Sequence, residues 1–119
     1  MTALTETLHT GGFLVSWLPG LSFEQVTIDE SQDLVAGQVV AQAANGNYVA
    51  YDNDTTDGAE AAGILYEAVS TGTGETKKAT IVARLAEVRD ADITWGSAND
   101  TADITAGEAD LDALFIIRR

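Results

Sequence analysis

Cysteine is absent from this 119-residue sequence, and histidine and proline occur once each. Without cysteine the protein forms no disulfide and offers no thiolate for catalysis or metal binding. The single histidine, His9, leaves no Cys/His catalytic pair, and no G-x-S-x-G motif marks a serine nucleophile. An enzyme built on a pair of carboxylates is the one catalytic alternative, and 19 acidic residues produce neighbouring acids by chance.

Basic residues are also scarce, because only six stand against the 19 acids and all six lie beyond position 76. A formal charge of -13 argues against a nucleic-acid partner, since phosphates are bound by Lys and Arg. The N-terminal region lacks the basic segment of a signal peptide. Its longest apolar run, residues 11–15, is far shorter than the roughly 20 residues that cross a bilayer. We therefore expect a soluble protein with no membrane partner.

The chain length predicts one domain with a modest core. Residues 1–23 differ from the rest because they hold the only proline and the only histidine and a single charged residue, Glu6. Their apolar residues follow neither a two-residue nor a 3.6-residue period. We predict an N-terminal arm over residues 1–23, which folds back onto the core or stays flexible until a partner orders it. Residues 24–119 then form a β-rich domain.

Alternating apolar and polar residues predict several β-strands along this domain. Strands are predicted at residues 26–29, 63–69, 79–88 and 115–119, and within residues 33–43 a Gly turn is paired with a second β-branched strand. Asn45 and Gly46 both tolerate positive φ, so they predict a tight turn and a β-hairpin over residues 39–51. The segment at residues 79–88 is the longest of the predicted strands.

A short helix is predicted near the C-terminus. Thr105 followed by Glu108 fits a capping box, in which each side chain satisfies a free backbone N–H group at the helix start. Leu111, Leu114 and Phe115 follow with the apolar spacing of a helix face. The predicted class is therefore α+β and β-rich. It is a small single domain of short antiparallel strands with one or two short helices, preceded by a flexible N-terminal arm.

An acidic stretch at residues 52–58 has the composition of a calcium loop. Asp52, Asp54 and Asp57 precede Gly58. An EF-hand loop requires glycine at its sixth position and a bidentate glutamate at its twelfth. Counting from Asp52 puts an aspartate at the sixth position, and counting from the next residue puts an isoleucine at the twelfth. We interpret the stretch as a polar turn between two strands, with a weak cation site as the alternative.

Three residues of the domain are candidates for a subunit interface. Trp95 is expected as an anchor of the core or its rim, and aromatic residues are also enriched at protein interfaces. Arg84 and Arg89 are the cations of the folded middle, and we expect one of them to pair with a carboxylate within the domain or across an interface. Lys77 and Lys78 are expected at a solvated loop tip.

The stretch NYVAYDNDTTDGAEAAGIL, residues 47–65, resembles the signature of lambda-like phage head-decoration proteins, in which a V-A-aromatic-D strand runs into a T-D-G turn and an apolar G-I-L strand. The matching residues are Val49, Ala50, Tyr51, Asp52, Thr56, Asp57, Gly58, Gly63, Ile64 and Leu65. Residues 23–42, 79–95 and 105–119 are similar to the family's opening strands, its long strand ending in a Trp, and its closing helix and strand. The resemblance covers residues 23–119.

The resemblance implies a homotrimer on the outer surface of an expanded phage capsid, made in the host bacterial cytoplasm. It would occupy threefold and quasi-threefold sites and clamp the major capsid protein subunits against internal DNA pressure. The family implies no cofactor, metal or catalytic residues. The arm would add a strand to a capsid protein sheet, although it is more apolar than the Thr/Ala/Pro-rich arm of the type member. Its expected capsid-contacting residues are Phe13, Leu14, Val15, Trp17 and Leu18.

A second function is open besides decoration. A ligand-binding β module, calcium-dependent or not, would use the acidic turn between Asp52 and Asp57. A stoichiometric calcium site that is lost on Asp54→Ala would favour this module. Binding to expanded capsids would favour decoration.

Overall fold

The computed structural model describes residues 9–53 and 59–119 of the chain. Within these ranges the protein is β-rich, with ten strands, one α-helix and one short 3-10 helix. The strands are β1 (Leu14–Trp17), β2 (Phe23–Ile28), β3 (Asp33–Leu34), β4 (Val39–Gln42), β5 (Tyr48–Ala50), β6 (Ala61–Leu65), β7 (Val69–Ser70), β8 (Lys77–Val82), β9 (Ala86–Val88) and β10 (Ile116–Arg118). The helix α1 spans Thr101–Ala113, and the 3-10 helix spans Asp90–Asp92. The predicted α+β, β-rich class is confirmed.

Five strands close into a barrel in the order β2-β5-β4-β6-β8. The longest pairing joins β2 and β8, which run antiparallel over six residue pairs from Phe23 opposite Val82 to Ile28 opposite Lys77. Strand β5 closes the barrel because it is antiparallel to β4 and also meets β2 in parallel at Tyr48. A closed barrel leaves no strand edge unpaired, so it gives the rest of the domain a rigid support.

The predicted hairpin is confirmed by the pairing of β4 with β5, in which Gln42 lies opposite Tyr48. Its turn depends on local chemistry, because the backbone N–H of Asn47 donates to Asn45 Oδ1 at 2.9 Å. Gly46 takes a φ of +89°, in the left-handed region that glycine adopts at little cost. The turn residues and the alternation of the flanking strands therefore both specify the hairpin that the structure contains.

Two predicted strands are each divided into two shorter ones. The segment at residues 79–88 forms β8 in the barrel and β9 in a separate sheet. Leu85 lies between them with a φ of +53°, which turns the chain although the apolar alternation continues through it. The segment at residues 63–69 is likewise split, between β6 in the barrel and β7, which pairs with β3. The prediction of one long strand at residues 79–88 is therefore wrong.

A second sheet contains three strands in the order β1-β9-β10. Strand β1 is antiparallel to β9, and β10 is parallel to it. Phe13, just before β1, is completely buried in the core, and its carbonyl accepts a hydrogen bond from the Arg89 N–H at 2.7 Å. Residues 9–23 thus fold back onto the domain. The predicted arm and its boundary stay a prediction, because residues 1–8 lie outside the described part of the chain.

The hydrophobic core forms two clusters of buried side chains. One lies between the barrel, α1 and the three-stranded sheet, and it includes Phe13, Val39, Tyr51, Leu111 and Ile116. The other is built from barrel strands and the β3–β7 pair, and it includes Val26, Ile28, Leu34, Leu65 and Ile81. The first cluster ties the second sheet to the barrel.

The helix begins five residues earlier than the sequence analysis predicts. Asp100 is the N-cap, and its side chain accepts from the Asp103 N–H at 2.9 Å, while Asp103 accepts from the Asp100 N–H at 3.0 Å. This reciprocal pair is a capping box with aspartate in the place of glutamate. The capping box predicted at Thr105 and Glu108 is wrong, because both residues lie inside the helix.

The apolar spacing assigned to the end of the helix is also partly wrong. Leu111 is completely buried, but α1 ends at Ala113. Phe115 leaves the helix with a φ of +60°, and 67% of it is exposed. The left-handed conformation of Phe115 redirects the chain from the helix axis into β10, which pairs with β9.

Helix α1 packs closely on the barrel at a glycine. A Cβ atom added at Gly107 would lie 2.9 Å from Tyr51 Cε1 and closer still to Trp95 Cζ3. The two rings meet edge to face with centroids 5.8 Å apart, and the Tyr51 hydroxyl donates to the Asp103 carbonyl at 2.7 Å. Gly107 is therefore required by packing, although glycine is a poor helix former.

We predict that Gly107→Ala lowers the free energy of unfolding by about 1–2 kcal/mol, because the close contacts place overpacking in the upper part of its range, at about 2–3 kcal/mol, against a gain of about 1 kcal/mol in helix propensity. Urea denaturation followed by circular dichroism measures this change. Thr105→Ala, at an exposed position of the same helix, is the control and is expected to be neutral or slightly stabilising. A Gly107→Ala protein as stable as the wild type contradicts the packing argument.

Candidate interaction surface

Exposed apolar side chains are concentrated in three segments of the fold. Among the described residues, eight large hydrophobic side chains are well exposed, and seven of them come from β1 and the segment after it, the β8–β9 connection, and the region of β10. They are Val15, Trp17, Leu18, Leu21, Leu85, Phe115 and Ile117, and Val35 is the eighth. Single exposed apolar residues are ordinary, but a contiguous group of them marks an interaction site.

Five of these side chains line a groove of about 530 Å³ beside the three-stranded sheet. We call it the apolar groove and define it by Trp17, Leu18, Leu85, Phe115 and Ile117. Its exposed apolar side chains come from three segments that are far apart in the sequence. The groove exists because β9 pairs with a strand from near each end of the chain.

Strand register places Ser16, Glu87 and Ile117 on one face of the three-stranded sheet. Ser16 lies opposite Glu87 in the β1–β9 pair, and Ile117 lies opposite Glu87 in the β9–β10 pair. Residues opposite each other in a sheet share a face. Their neighbours Ala86 and Val88 point to the other face and are buried in the core. One face of this short sheet therefore packs against the core, and the other face is exposed.

Two residues of the groove have an unusual backbone conformation. Leu85 and Phe115 have φ values of +53° and +60°, in the left-handed region. For a residue with a bulky side chain this conformation is an outlier, and it costs roughly 1–2 kcal/mol relative to the right-handed one. The Leu85 N–H donates to the Leu114 carbonyl at 3.1 Å, and the Ala86 N–H donates to the Phe115 carbonyl at 3.2 Å. These bonds hold the two left-handed residues side by side.

A buried serine joins the two sides of the groove. Ser22 is completely buried, and its hydroxyl accepts from the Leu18 N–H and donates to the Leu85 carbonyl, both at 2.8 Å. A buried hydroxyl with both partners in place stabilises a single arrangement of the backbone. Leu18 and Leu85 are thereby fixed relative to each other.

Glu87 is the one charged side chain among the residues that line the groove. Arg119 Nε donates to Glu87 Oε1 at 2.9 Å, and the Ser16 hydroxyl donates to Glu87 Oε2 at 2.8 Å. The hydrogen bonds from Arg119 and Ser16 lower the pKa of the Glu87 carboxyl below its ordinary value. The carboxylate thus stays ionised and partnered at neutral pH.

The charge of the chain is distributed unevenly around this surface. Residues 13–23, 84–89 and 114–119 together hold four of the six cations and one of the 19 acids, which gives them a formal charge of +3 in a chain of -13. The four arginines are paired with carboxylates of this chain; the pairs are Arg84–Glu24, Arg89–Asp92, Arg118–Glu108 and Arg119–Glu87. The groove region is therefore close to neutral on a strongly acidic protein.

The residues predicted to contact a capsid occupy three different environments. Trp17 and Leu18 line the apolar groove, and Val15 is exposed on the same strand as Trp17. Leu14 is half-buried against the core, and Phe13 is completely buried in it. Phe13 is therefore a core residue, and it holds β1 against the domain.

The candidates for a subunit interface lie apart from one another. Trp95 is half-buried against Tyr51. Arg84 donates to the Leu21 carbonyl at 2.7 Å as well as to Glu24. Arg84 and Arg89 both pair with a carboxylate of the domain. The sequence analysis expects such a pair for one of them, within the domain or across an interface. Their role in a trimer stays a prediction.

Sequence analysis missed three residues of the groove, which are Leu85, Phe115 and Ile117. Leu85 was placed inside a strand and Phe115 on a helix face, where both would be buried. No sequence signal marks a left-handed leucine or phenylalanine, because such positions are ordinarily signalled by glycine or asparagine. Ser22 was also missed, since a single serine between apolar residues has no pattern of its own.

The acidic turn can be described only at its start. Asp52 and Asn53 are half-buried, and the predicted turn residues 54–58, with Asp54 and Asp57, lie outside the described part. Within residues 9–53 and 59–119, no group of three or more His, Asp or Glu side chains is placed to hold a metal ion. In the same ranges no helix has the length and apolar character needed to span a membrane.

Comparison with known proteins agrees with the resemblance found in the sequence. The family model described as bacteriophage lambda head decoration protein D matches residues 3–116, nearly the whole chain. A comparison with curated proteins gave no match. The family assignment made from the residues is thus confirmed independently of any single motif.

We predict that Glu87 titrates below the ordinary glutamate value of 4.5. Because its pKa is lower in the folded state, ionised Glu87 stabilises the fold above pH 4.5, and this contribution is lost as the pH falls through the lowered pKa. Carboxyl carbon NMR titration measures the value. Arg119→Gln is expected to raise it, and Arg84→Gln, which removes a cation paired with Glu24, is the control. A normal or raised pKa contradicts the assignment.

Proposed function

The chain belongs to the bacteriophage lambda head decoration protein D family, and we propose that it decorates the outer surface of an expanded phage capsid as a homotrimer. The family is structural, so the chain is a structural protein of the phage head. In our proposal it occupies threefold and quasi-threefold sites and clamps subunits of the major capsid protein against the pressure of packaged DNA.

The observation that carries this proposal is the concentration of exposed apolar side chains on a rigid support. Seven of the eight well-exposed large hydrophobic side chains among the described residues come from three segments, and five of the seven line the apolar groove. The barrel and the buried Ser22 fix the backbone beneath them. A surface that is ordered before binding loses less conformational entropy on association. Such a surface suits a protein that attaches to the phage capsid.

Trimer formation makes a small surface sufficient for attachment. One domain of this size presents a limited contact area, and a single contact is weak. Three linked copies raise the overall affinity by about 10² to 10⁴ over one contact when all three engage at once. A threefold trimer on a threefold site allows this, because each copy meets the same surface. A protein that binds only the assembled shell stabilises that shell by mass action.

The position of β1 supports a role for the N-terminal segment in shell binding. Strand β1 is an edge strand of its sheet, and the exposed Val15, Trp17 and Leu18 lie on it or directly after it. An edge strand offers unpaired backbone groups to a strand of another protein. We therefore retain these three residues, together with the half-buried Leu14, as shell contacts. Phe13 contributes by anchoring β1 in the core.

The proposal predicts that the purified protein binds expanded capsids that lack decoration. Electron microscopy of the mixture is expected to show trimeric density at the threefold and quasi-threefold sites. Decorated capsids are expected to rupture at a higher temperature than bare ones, because bound trimers stabilise the assembled state. Bare capsids heated with a similarly acidic unrelated protein are the control. Absence of density on the capsid, or density away from these sites, contradicts the proposal.

A further inference from the structure

We propose that the apolar groove receives an apolar segment of the phage shell protein, and that Leu85 and Phe115 anchor that segment. This inference rests on the proposed function, because it takes the shell as the partner. It assigns a specific surface and two specific residues to the contact. The two residues are ones that neither the sequence pattern nor the family match singles out.

The first argument is the backbone strain at these positions. Leu85 and Phe115 adopt left-handed conformations that glycine would adopt without a steric penalty. The Phe115 side chain contributes little to the core, since 67% of it is exposed, and 38% of Leu85 is exposed as well. Strained residues that persist in a structure cluster at binding and active sites. These two backbone outliers therefore indicate that the side chains of Leu85 and Phe115 contact a binding partner.

The second argument is that both side chains are already held in position for a partner. Backbone hydrogen bonds from Leu85 to Leu114 and from Ala86 to Phe115 place the two left-handed residues together. The Ser22 hydroxyl ties Leu85 to Leu18 on the opposite side of the groove. A partner segment thus meets a preformed apolar site, and its binding does not have to order the loops that surround it.

The composition of the groove favours an uncharged partner segment. Its only charged lining residue, Glu87, keeps its hydrogen bonds to Arg119 and Ser16. Covering the groove therefore leaves no unpaired buried charge, which would be costly. A volume of about 530 Å³ lies within the range of about 300–1,000 Å³ that is usual for binding sites. A short segment with a few apolar side chains fits these properties.

The third argument distinguishes the shell protein from a second copy of this chain. In a closed ring each copy places one surface against a different surface of its neighbour. Outside the groove region, the described residues offer a single well-exposed large apolar side chain, Val35. The remainder of the chain is strongly acidic, because it holds 18 of the 19 acids and two cations. Within residues 9–53 and 59–119, a neighbouring copy therefore offers no second apolar surface with which to fill the groove.

Substitutions that keep the backbone but remove the side chains test the inference. Phe115→Gly, Phe115→Asn and Leu85→Gly all place residues that tolerate positive φ at these positions. We expect the denaturation midpoint to stay equal or rise for the Phe115 variants, while affinity for expanded capsids falls at least tenfold for each. Phe115→Tyr preserves the aromatic side chain and is expected to bind. Val35→Ser is the matched control for an exposed apolar residue outside the groove, and it is expected to bind like the wild type.

A photo-crosslinking experiment identifies the occupant of the groove. We expect p-benzoylphenylalanine in place of Phe115 to form, on decorated capsids, a covalent product with the shell protein that mass spectrometry can map to an apolar segment. A product between two copies of this chain overturns the assignment of the partner. Undiminished binding by the Phe115 and Leu85 variants overturns the anchor role. A wild-type protein that does not bind capsids refutes the proposed function itself, so the two failures are distinguishable.

Discussion

Strand β9 forms hydrogen bonds with strands from near both ends of the chain, and the outer surface of the protein depends on that pairing. Through β9, the segment that follows Phe13 and the last residues of the chain become neighbours in one sheet. The inner face of this sheet completes the core with Val88 and Ile116. Its outer face, with the connections at its ends, becomes the apolar groove. A single short strand therefore couples the stability of the core to the surface available for association.

The groove shows how a small domain can combine a stable fold with a binding surface. The barrel satisfies its own backbone hydrogen bonds by closure and fixes the position of the second sheet. Backbone preferences are violated at the ends of β9 and β10, since Leu85 and Phe115 occupy conformations usual for glycine. Natural proteins depart from such preferences mainly at functional sites, where the cost is offset elsewhere in the fold. Here the buried Ser22 and the paired Glu87 are among the interactions that offset it.

The distribution of charge, like the packing of the core, favours association through the apolar groove. A net charge of -13 favours solubility and repels other acidic surfaces. Four arginines lie in the segments that form the groove region, and each has a carboxylate partner within the chain. The apolar surface is therefore surrounded by compensated charge, while most of the acids lie elsewhere. Such an arrangement permits close contact at one surface and discourages non-specific contact at the others.

Sequence alone determined the β-rich class, the hairpin at Asn45-Gly46 and the terminal strand, because these follow from side-chain alternation and turn residues close together in the chain. The family followed from the resemblance that residues 23–119 carry. Sequence alone misplaced the start of α1, since the aspartate pair that caps the helix lay outside the Thr/Glu pattern used to find it. Only the tertiary structure decided the two-sheet division and the groove. Trp17, Leu85 and Phe115 are distant in sequence, and their meeting depends on strand pairing. The left-handed turns at Leu85 and Phe115 are imposed by that pairing, because neither residue favours such a conformation by itself.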